Sequence, residues 1–204
     1  MATSRQKVYV VDDDSSVRTA LSRFFKSVGF EVRTYSSAEA FLEEEVAPDA
    51  PACLVLDMKM PGISGTQLQE ELHRRGAALP IVFISGYGTL PVAVQAMKGG
   101  AIDFLEKPLE TRALFEAVSQ AIERASEGAS KQTLRDELTR RYRLLTGRER
   151  EVFGEVTKGK LNKQIAVQLG TTEKTIKVHR ARVMRKMQAR SVADLVRIAV
   201  ELSA

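Results

Sequence analysis

A single cysteine stands in this chain of 204 residues, so no intrachain disulfide framework can hold the fold. It lies in the apolar run Cys53-Leu54-Val55-Leu56, which reads as a buried strand, and a lone thiol there is a small core residue in a reducing compartment. Histidine is scarce too, with only His73 and His179 present. No stretch is long and apolar enough to span a bilayer, and the segment before Val8 is too short for a signal peptide. A cytoplasmic protein without membrane attachment is therefore expected. Internal repeats and low-complexity tracts are absent.

What is present is divided. The net charge is +5, yet residues 1–125 carry 13 Lys and Arg against 17 Asp and Glu, while residues 126–204 carry 18 against 9. A basic C-terminal third suits a polyanion, and an acidic N-terminal part suits a cation or a basic surface. The length fits one medium and one small domain.

From residue 8 to about 125, short β-type runs alternate with helical-period segments, the pattern of a doubly wound parallel sheet. The predicted strands are Val8–Val11, Glu31–Thr34, Cys53–Asp57, Ile81–Ile84 and Asp103–Leu105. Val17, Ala20, Leu21, Phe24, Phe25 and Val28 recur at helical spacing before Gly29. Further helices are expected over Ala38–Glu45, Gly65–Arg75, Leu90–Lys98 and Thr111–Arg124, giving a five-stranded α/β domain.

The segment Ser126-Glu127-Gly128-Ala129-Ser130 is small, polar and helix-weak, and the first domain is expected to end there. Leu134, Leu138, Tyr142 and Leu145 then repeat as in an amphipathic helix, so residues 126–142 read as a largely helical linker able to pack on a neighbour or a second copy. The second domain is expected over 143–204.

In open α/β sheets ligands bind at the carboxyl ends of strands. Here those ends carry Asp12-Asp13-Asp14, Asp57, Ser85 and, after Glu106, Lys107-Pro108. Packing calls for none of these on one edge. Carboxylates brought together repel unless a cation compensates them, and oxygen donors without His or Cys suit Mg²⁺. Asp57 can then act as an oxygen nucleophile toward a phosphoryl group, with Lys107 and the metal neutralising developing charge and Ser85 donating a hydrogen bond to the product. Asp14 or Ser15 is expected to cap the following helix.

Residues 8–124 resemble the receiver domain of response regulators through Val11-Asp12-Asp13-Asp14, Val17-Arg18, Leu56-Asp57-Met58-Lys59-Met60-Pro61-Gly62, Ser85-Gly86 and Phe104-Leu105-Glu106-Lys107-Pro108. The resemblance implies that Asp57 is the phosphoacceptor and that Asp12 and Asp13 are the acidic pair at the Mg²⁺, with the Lys59 backbone carbonyl as a further ligand. It also implies that Ser85 and Phe104 are the switch pair, and that the Lys107-Pro108 bond is cis. Phe104 replaces the tyrosine of many receivers, so an inward swing must be read by packing. Tyr87 is an aromatic near Ser85 with no assigned role.

In the basic third, Thr146-Gly147-Arg148-Glu149 is a capping box before a helix bearing Val152, Phe153 and Val156. A second helix begins at Asn162 with Ile165, Ala166 and Leu169 inward. Gly170 turns the chain, and Thr172 caps a third helix to about Met187. In that helix Ile176, His179, Val183 and Met187 mark the apolar side; His179 reads as a core or edge residue. Opposite them Lys174, Lys177, Val178, Ala181 and Arg185 form a stripe fitted to a major groove, with Arg180, Arg182 and Arg185 available to phosphates.

Residues 143–202 resemble the LuxR/NarL-type DNA-binding domain through Leu145-Thr146-Gly147-Arg148-Glu149-Arg150-Glu151-Val152, Asn162-Lys163-Gln164-Ile165-Ala166 and Thr175-Ile176-Lys177-Val178-His179-Arg180. This implies a DNA-facing set including Thr175, with Lys177, Val178 and Ala181 toward bases. It also implies a last helix whose Leu195, Ile198, Ala199 and Leu202 pair two DNA-bound copies. The domain order is similar to the FixJ subgroup of response regulators. The implied function is a non-enzymatic, phosphorylation-controlled transcription factor with a sensor histidine kinase, double-stranded promoter DNA, RNA polymerase and a second copy of itself as partners. Two other readings stand beside it: a Mg²⁺-dependent phosphatase, against which Lys59 occupies the place of a second acid, and a constitutive DNA-binding protein with a vestigial receiver.

Overall fold

The computed structural model describes residues 6–43, 50–86 and 90–203. Glu44 and Glu45 of the predicted second helix, and Tyr87, lie outside them. The chain divides into two compact units between Ala129 and Ser130. Among the described residues no helix is long and apolar enough to cross a membrane.

The first unit is built on five parallel strands, β1 (Lys7–Val11), β2 (Glu31–Tyr35), β3 (Ala52–Asp57), β4 (Ile81–Ser85) and β5 (Asp103–Glu106). Their order is β2-β1-β3-β4-β5. Each strand lies within a residue or two of its predicted span, because runs such as Cys53-Leu54-Val55-Leu56 are buried on both faces, as parallel strands between two helix layers must be. Side chains alternate between those layers. Tyr9, Val11, Leu54 and Leu56 pack with Phe41 and Leu68 on one side. Val8, Val10, Cys53 and Val55 pack with Phe25 and Val118 on the other.

The helices are α1 (Ser15–Ser27), α2 (Ala38–Leu42), α3 (Gly65–Arg74), α4 (Leu90–Lys98) and α5 (Thr111–Arg143). Asp14 caps α1 by accepting from the backbone N–H groups of Ser16 and Val17. Ser64 and Gln67 form a capping box on α3. Because every strand runs the same way, all carboxyl ends share one edge, and the order reverses between the neighbours β1 and β3. The ends carrying Asp12 and Asp57 are thus adjacent at the topological switch point.

One expectation is corrected. The fifth helix does not stop near Arg124; α5 runs unbroken from Thr111 to Arg143 through the segment read as helix-weak. Of residues 126–130 only Gly128 is a poor helix former, costing about 1 kcal/mol relative to Ala, and no proline is present to remove a hydrogen bond. Of the four apolar positions predicted along this segment, Leu138 and Leu145 are buried, Tyr142 packs edge-on against Phe153 at 5.3 Å, and Leu134 is exposed.

The second unit contains α6 (Gly147–Thr157), α7 (Asn162–Gln168), α8 (Glu173–Met187) and α9 (Val192–Ser203). Val152, Phe153, Ile165, Ile176, Val183 and Leu195 form its core. The Thr146–Glu149 capping box forms as predicted, and Thr172 caps α8 by accepting from Thr175 N–H. Glu149 is almost fully buried, and Lys186 of α8 reaches it at 2.6 Å while also donating to the Leu144 carbonyl at 3.0 Å. Arg148 donates to the Leu169 carbonyl and so ties α6 to the end of α7.

Candidate functional site

The edge predicted to carry chemistry is assembled around one ammonium group. Lys107 Nζ lies 2.7 Å from Asp12 Oδ2 and 2.6 Å from Asp57 Oδ1. Both carboxylates are buried, so this bridge is what makes their proximity tolerable. Asp57 Oδ2 accepts from Lys59 N–H at 2.8 Å, and Asp12 Oδ1 accepts from Asp14 N–H at 2.8 Å. The backbone N–H of Lys107 donates to the Ser85 carbonyl at 2.8 Å, which sets the position of the bridging side chain. The Lys107-Pro108 bond is cis, as the resemblance implied.

Burial pushes the Asp57 carboxyl above its ordinary range, and the Asp12 charge pushes the same way, while the hydrogen bond and charge of Lys107 hold it back. Burial works against the Lys107 ammonium, but its two carboxylate partners outweigh this and raise its pKa. The result is an oxygen nucleophile kept next to a fixed positive charge.

Asp13 differs from its neighbours. It is exposed, and no described residue donates a hydrogen bond to its carboxylate. Among the described residues no three His, Cys, Asp or Glu side chains form a ready metal cage. The donor chemistry nevertheless fits a hard cation: the Asp12 and Asp57 carboxylates share Lys107, exposed Asp13 follows Asp12 in the chain, and all three offer oxygen. An open site of this kind suits Mg²⁺, which keeps several waters.

Ser85 ends β4 and is buried. Phe104 pairs in register with Phe83, two residues before Ser85, so Ser85 and Phe104 project from the same sheet face. Phe104 is partly buried against the core of that face. Two contributors to this edge were not legible in the sequence as roles. Gly65 lets α3 approach, since a Cβ there would stand 2.4 Å from the Asp57 carbonyl oxygen. Arg18 Nη1 donates to the carbonyls of Asp12 and Asp13 at 2.7 and 2.9 Å; its only sequence signal was its place in the Val17-Arg18 pair.

In the second unit, Lys174, Lys177, Val178, Ala181 and Arg185 of the predicted stripe are all exposed on α8, as is Arg182. Lys177 is 3.5 Å from Glu173. Thr175 is half-buried, and its hydroxyl meets that of the cap Thr172 at 2.9 Å. Arg180 is also half-buried and donates from Nη1 to Asn162 Oδ1 at 3.0 Å. His179 lies half-buried, as expected of an edge residue.

Of the residues expected to pair two copies, only Leu195 is withdrawn. Leu195 is 0% exposed and belongs to the core, and Ile198, Ala199 and Leu202 pack partly buried against it. An apolar period on a terminal helix marks whichever face is covered, and here the domain itself covers Leu195 fully and the other three in part. The outward side of α9 instead presents Ala193, Arg197 and Val200, the last 62% exposed.

Residues 8–119 match the family of the response regulator receiver domain, and residues 143–199 match the bacterial regulatory proteins of the luxR family. The chain is 44% identical over 201 residues to Nodulation protein W of Bradyrhizobium diazoefficiens, covering 98% of this chain and 88% of that protein. It is 43% identical over 193 residues to Transcriptional regulatory protein FixJ of Azorhizobium caulinodans, covering 95% and 91%. The solved structure of the response regulator StyR superposes with a TM-score of 0.85 at 45% identity, covering 97% of this chain and 99% of that one. The chain therefore belongs to the response regulators that join a receiver to a luxR-type DNA-binding domain, the two-component transcriptional regulators among which FixJ stands.

Proposed function

We propose that Asp57 is the phosphoacceptor of a switch whose output is promoter binding by a dimer. The observation that carries this reading is the Lys107 ammonium bridging Asp12 and Asp57 at the switch point of the sheet. An Asp57 carboxylate oxygen attacks the phosphorus of a phosphohistidine on a sensor kinase. The new O–P bond forms as the P–N bond breaks, and the imidazole leaves with the electron pair. Lys107 faces the phosphoryl oxygens as their charge grows. Asp13 and Asp57 with the Lys59 carbonyl would hold Mg²⁺ directly, and Asp12 through water; the ion supplies charge neutralisation on those oxygens. No external substrate is turned over.

Ser85 then donates to the phosphoryl group, and Phe104, on the same face, follows by packing alone. In this reading the receiver spans 1–125, the linker 126–142 and the DNA-binding domain 143–204. Lys177, Val178 and Ala181 read base edges, Lys174, Thr175, Arg182 and Arg185 serve the backbone, and RNA polymerase is the further partner at the promoter. The outward side of α9, centred on Val200, supplies the pairing surface on DNA. The protein acts in the cytoplasm.

The test is intact mass and sedimentation with Mg²⁺ and acetyl phosphate, wild type beside Asp57→Asn. Wild type gains one phosphoryl group and shifts toward dimer, and the variant does neither. A variant labelled to the same extent would overturn the assignment of Asp57.

A further inference from the structure

Asp12, Asp14 and Asp57 each have their carboxylates held by hydrogen bonds, whereas that of Asp13 takes none from any described residue. Its position is therefore set by the backbone that carries it. Arg18 holds that backbone. From α1 its Nη1 donates to the Asp12 carbonyl at 2.7 Å and to the Asp13 carbonyl at 2.9 Å, turning two successive peptides toward one guanidinium. The same loop is fastened beyond Asp13, where Asp14 accepts from Ser16 N–H at 2.7 Å and Asp14 N–H donates to Asp12 Oδ1 at 2.8 Å. Arg18 is half-buried, its bond to the Asp12 carbonyl is partly buried and that to the Asp13 carbonyl is exposed, and both are charge-assisted, so the shorter and better shielded one holds the peptide between Asp12 and Asp13.

We infer that Arg18 is a positioning residue for the divalent cation: by pinning the carbonyls of Asp12 and Asp13 it holds the otherwise untethered Asp13 carboxylate ready to bind. The inference rests on the receiver reading above. Two physical effects of Arg18 oppose each other, which makes the sign informative. Its charge repels a cation nearby, so removing charge alone would tighten metal binding. Its hydrogen bonds spare the loop the entropy of ordering when the ion arrives, so removing them weakens binding. Two bonds at 2.7 and 2.9 Å to the very peptides that carry the ligands favour the second effect.

The experiment uses the full chain as wild type, Arg18→Gln and Arg18→Lys. Mn²⁺ serves as the probe, its free ion counted by electron paramagnetic resonance. Phosphorylation of Asp57 by acetyl phosphate is followed in parallel across a range of Mg²⁺, with thermal unfolding measured on each variant. Arg18→Gln is expected to bind Mn²⁺ about tenfold more weakly and to need correspondingly more Mg²⁺ for half-maximal phosphorylation. Its rate at saturating Mg²⁺ stays within about twofold of wild type, since nothing that touches the phosphoryl group has changed. Arg18→Lys, which keeps the charge and can reach one carbonyl, falls between. Should the glutamine variant fail to fold, the lysine variant decides alone, with weakening of about threefold expected.

Unchanged or tighter Mn²⁺ binding overturns the inference, as does a slower rate at saturating Mg²⁺ with affinity intact. Wild type that binds no Mn²⁺ and takes no phosphoryl group would instead bring down the receiver reading, and the role of Arg18 with it.

Discussion

Arg180 on α8 donates from Nη1 to the side-chain oxygen of Asn162, the first residue of α7, at 3.0 Å, and so ties α8 to the helix before it. This separates two kinds of arginine on α8. An arginine that neutralises a phosphate releases counterions, and its removal lowers the salt slope of DNA binding by about 0.9. Removing an arginine that orients α8 weakens binding without changing the slope. Arg180→Ala and Asn162→Ala are each expected to cost roughly tenfold in affinity, with the double variant little worse than either single one. Exposed Arg182→Ala should reduce the slope. Fluorescence anisotropy on operator DNA between roughly 50 and 200 mM salt distinguishes the cases, and a reduced slope for Arg180→Ala would return that residue to the phosphate set.

The bridge at Lys107 makes a prediction with a definite pH sign. The Asp57 carboxyl is already raised by burial, and Lys107 opposes that rise. In Lys107→Met the carboxyl rises further. A raised acid destabilises the fold fully above its folded pKa, and the penalty fades as pH falls through that pKa toward the ordinary value, below which it is gone. The variant should therefore be less stable than wild type by about 3 kcal/mol at neutral pH, with the deficit shrinking toward about pH 4. Phosphorylation by acetyl phosphate should slow by about a hundredfold, because the fixed positive charge facing the transferring group is lost. Denaturant melts over that pH range check the first claim, and quenched time courses the second.

Gly65 is small for a reason found outside α3 itself. An alanine Cβ would stand 2.4 Å from the Asp57 carbonyl oxygen and 3.1 Å from Met58 Cα, both backbone atoms that cannot step aside. Gly65→Ala should cost about 2 kcal/mol in a urea melt, against a gain of under 1 kcal/mol for the same change at an unconstrained helical site. The phosphorylation rate should fall with it, since the displaced backbone carries the nucleophile.

The acidic edge was legible in the sequence because its residues violate packing. Asp12, Asp57 and Lys107 are charged groups at the ends of buried strands where packing does not call for them, so their identity alone marked that edge. The caps at Asp14, Thr146 and Thr172 were legible because each is a local rule, closed within three residues. The α9 face was not. Periodicity marks Leu195, Ile198 and Leu202 as an apolar face but not what covers each, and the core of their own domain covers Leu195 fully and the other two in part. Helix continuity through Gly128 was hidden for a similar reason, since weak local propensity yields to the favourable residues on either side. Contacts such as Arg18 with Asp12 and Arg180 with Asn162 depend on side-chain reach between elements, which no spacing encodes.

Buried Glu149 gives a second pH dependence, from an acid shifted the other way. Its hydrogen bond from Lys186, followed by that from Thr146 N–H, holds the carboxyl below its ordinary range. A depressed acid stabilises the fold above the ordinary value of 4.5, and that contribution is lost as pH falls through its folded pKa. Glu149→Gln keeps the cap to Thr146 but loses the charge, and should cost about 2 kcal/mol at neutral pH. The gap to wild type should close in acid. Hydrogen-exchange protection of the α6 and α8 amides, corrected for intrinsic rates, reads this directly; a gap independent of pH would mean that lost packing, not charge, is responsible.

The proposed α9 surface separates folding from pairing. Leu195 is 0% exposed, whereas Val200 is 62% exposed on the same helix. Leu195→Ala opens a cavity in the core and should cost about 3 kcal/mol, lowering DNA binding through the folded population alone. Val200→Glu touches nothing buried, so stability should stay within about 0.5 kcal/mol of wild type. It places charge on the proposed pairing surface, so two copies should no longer bind a two-fold site cooperatively, while one copy still binds a half-site with wild-type affinity. Band-shift titrations on whole and half operators, with unfolding curves for both variants, test the pair. If Val200→Glu binds the whole site as cooperatively as wild type, the copies meet through some other surface and α9 serves only the core.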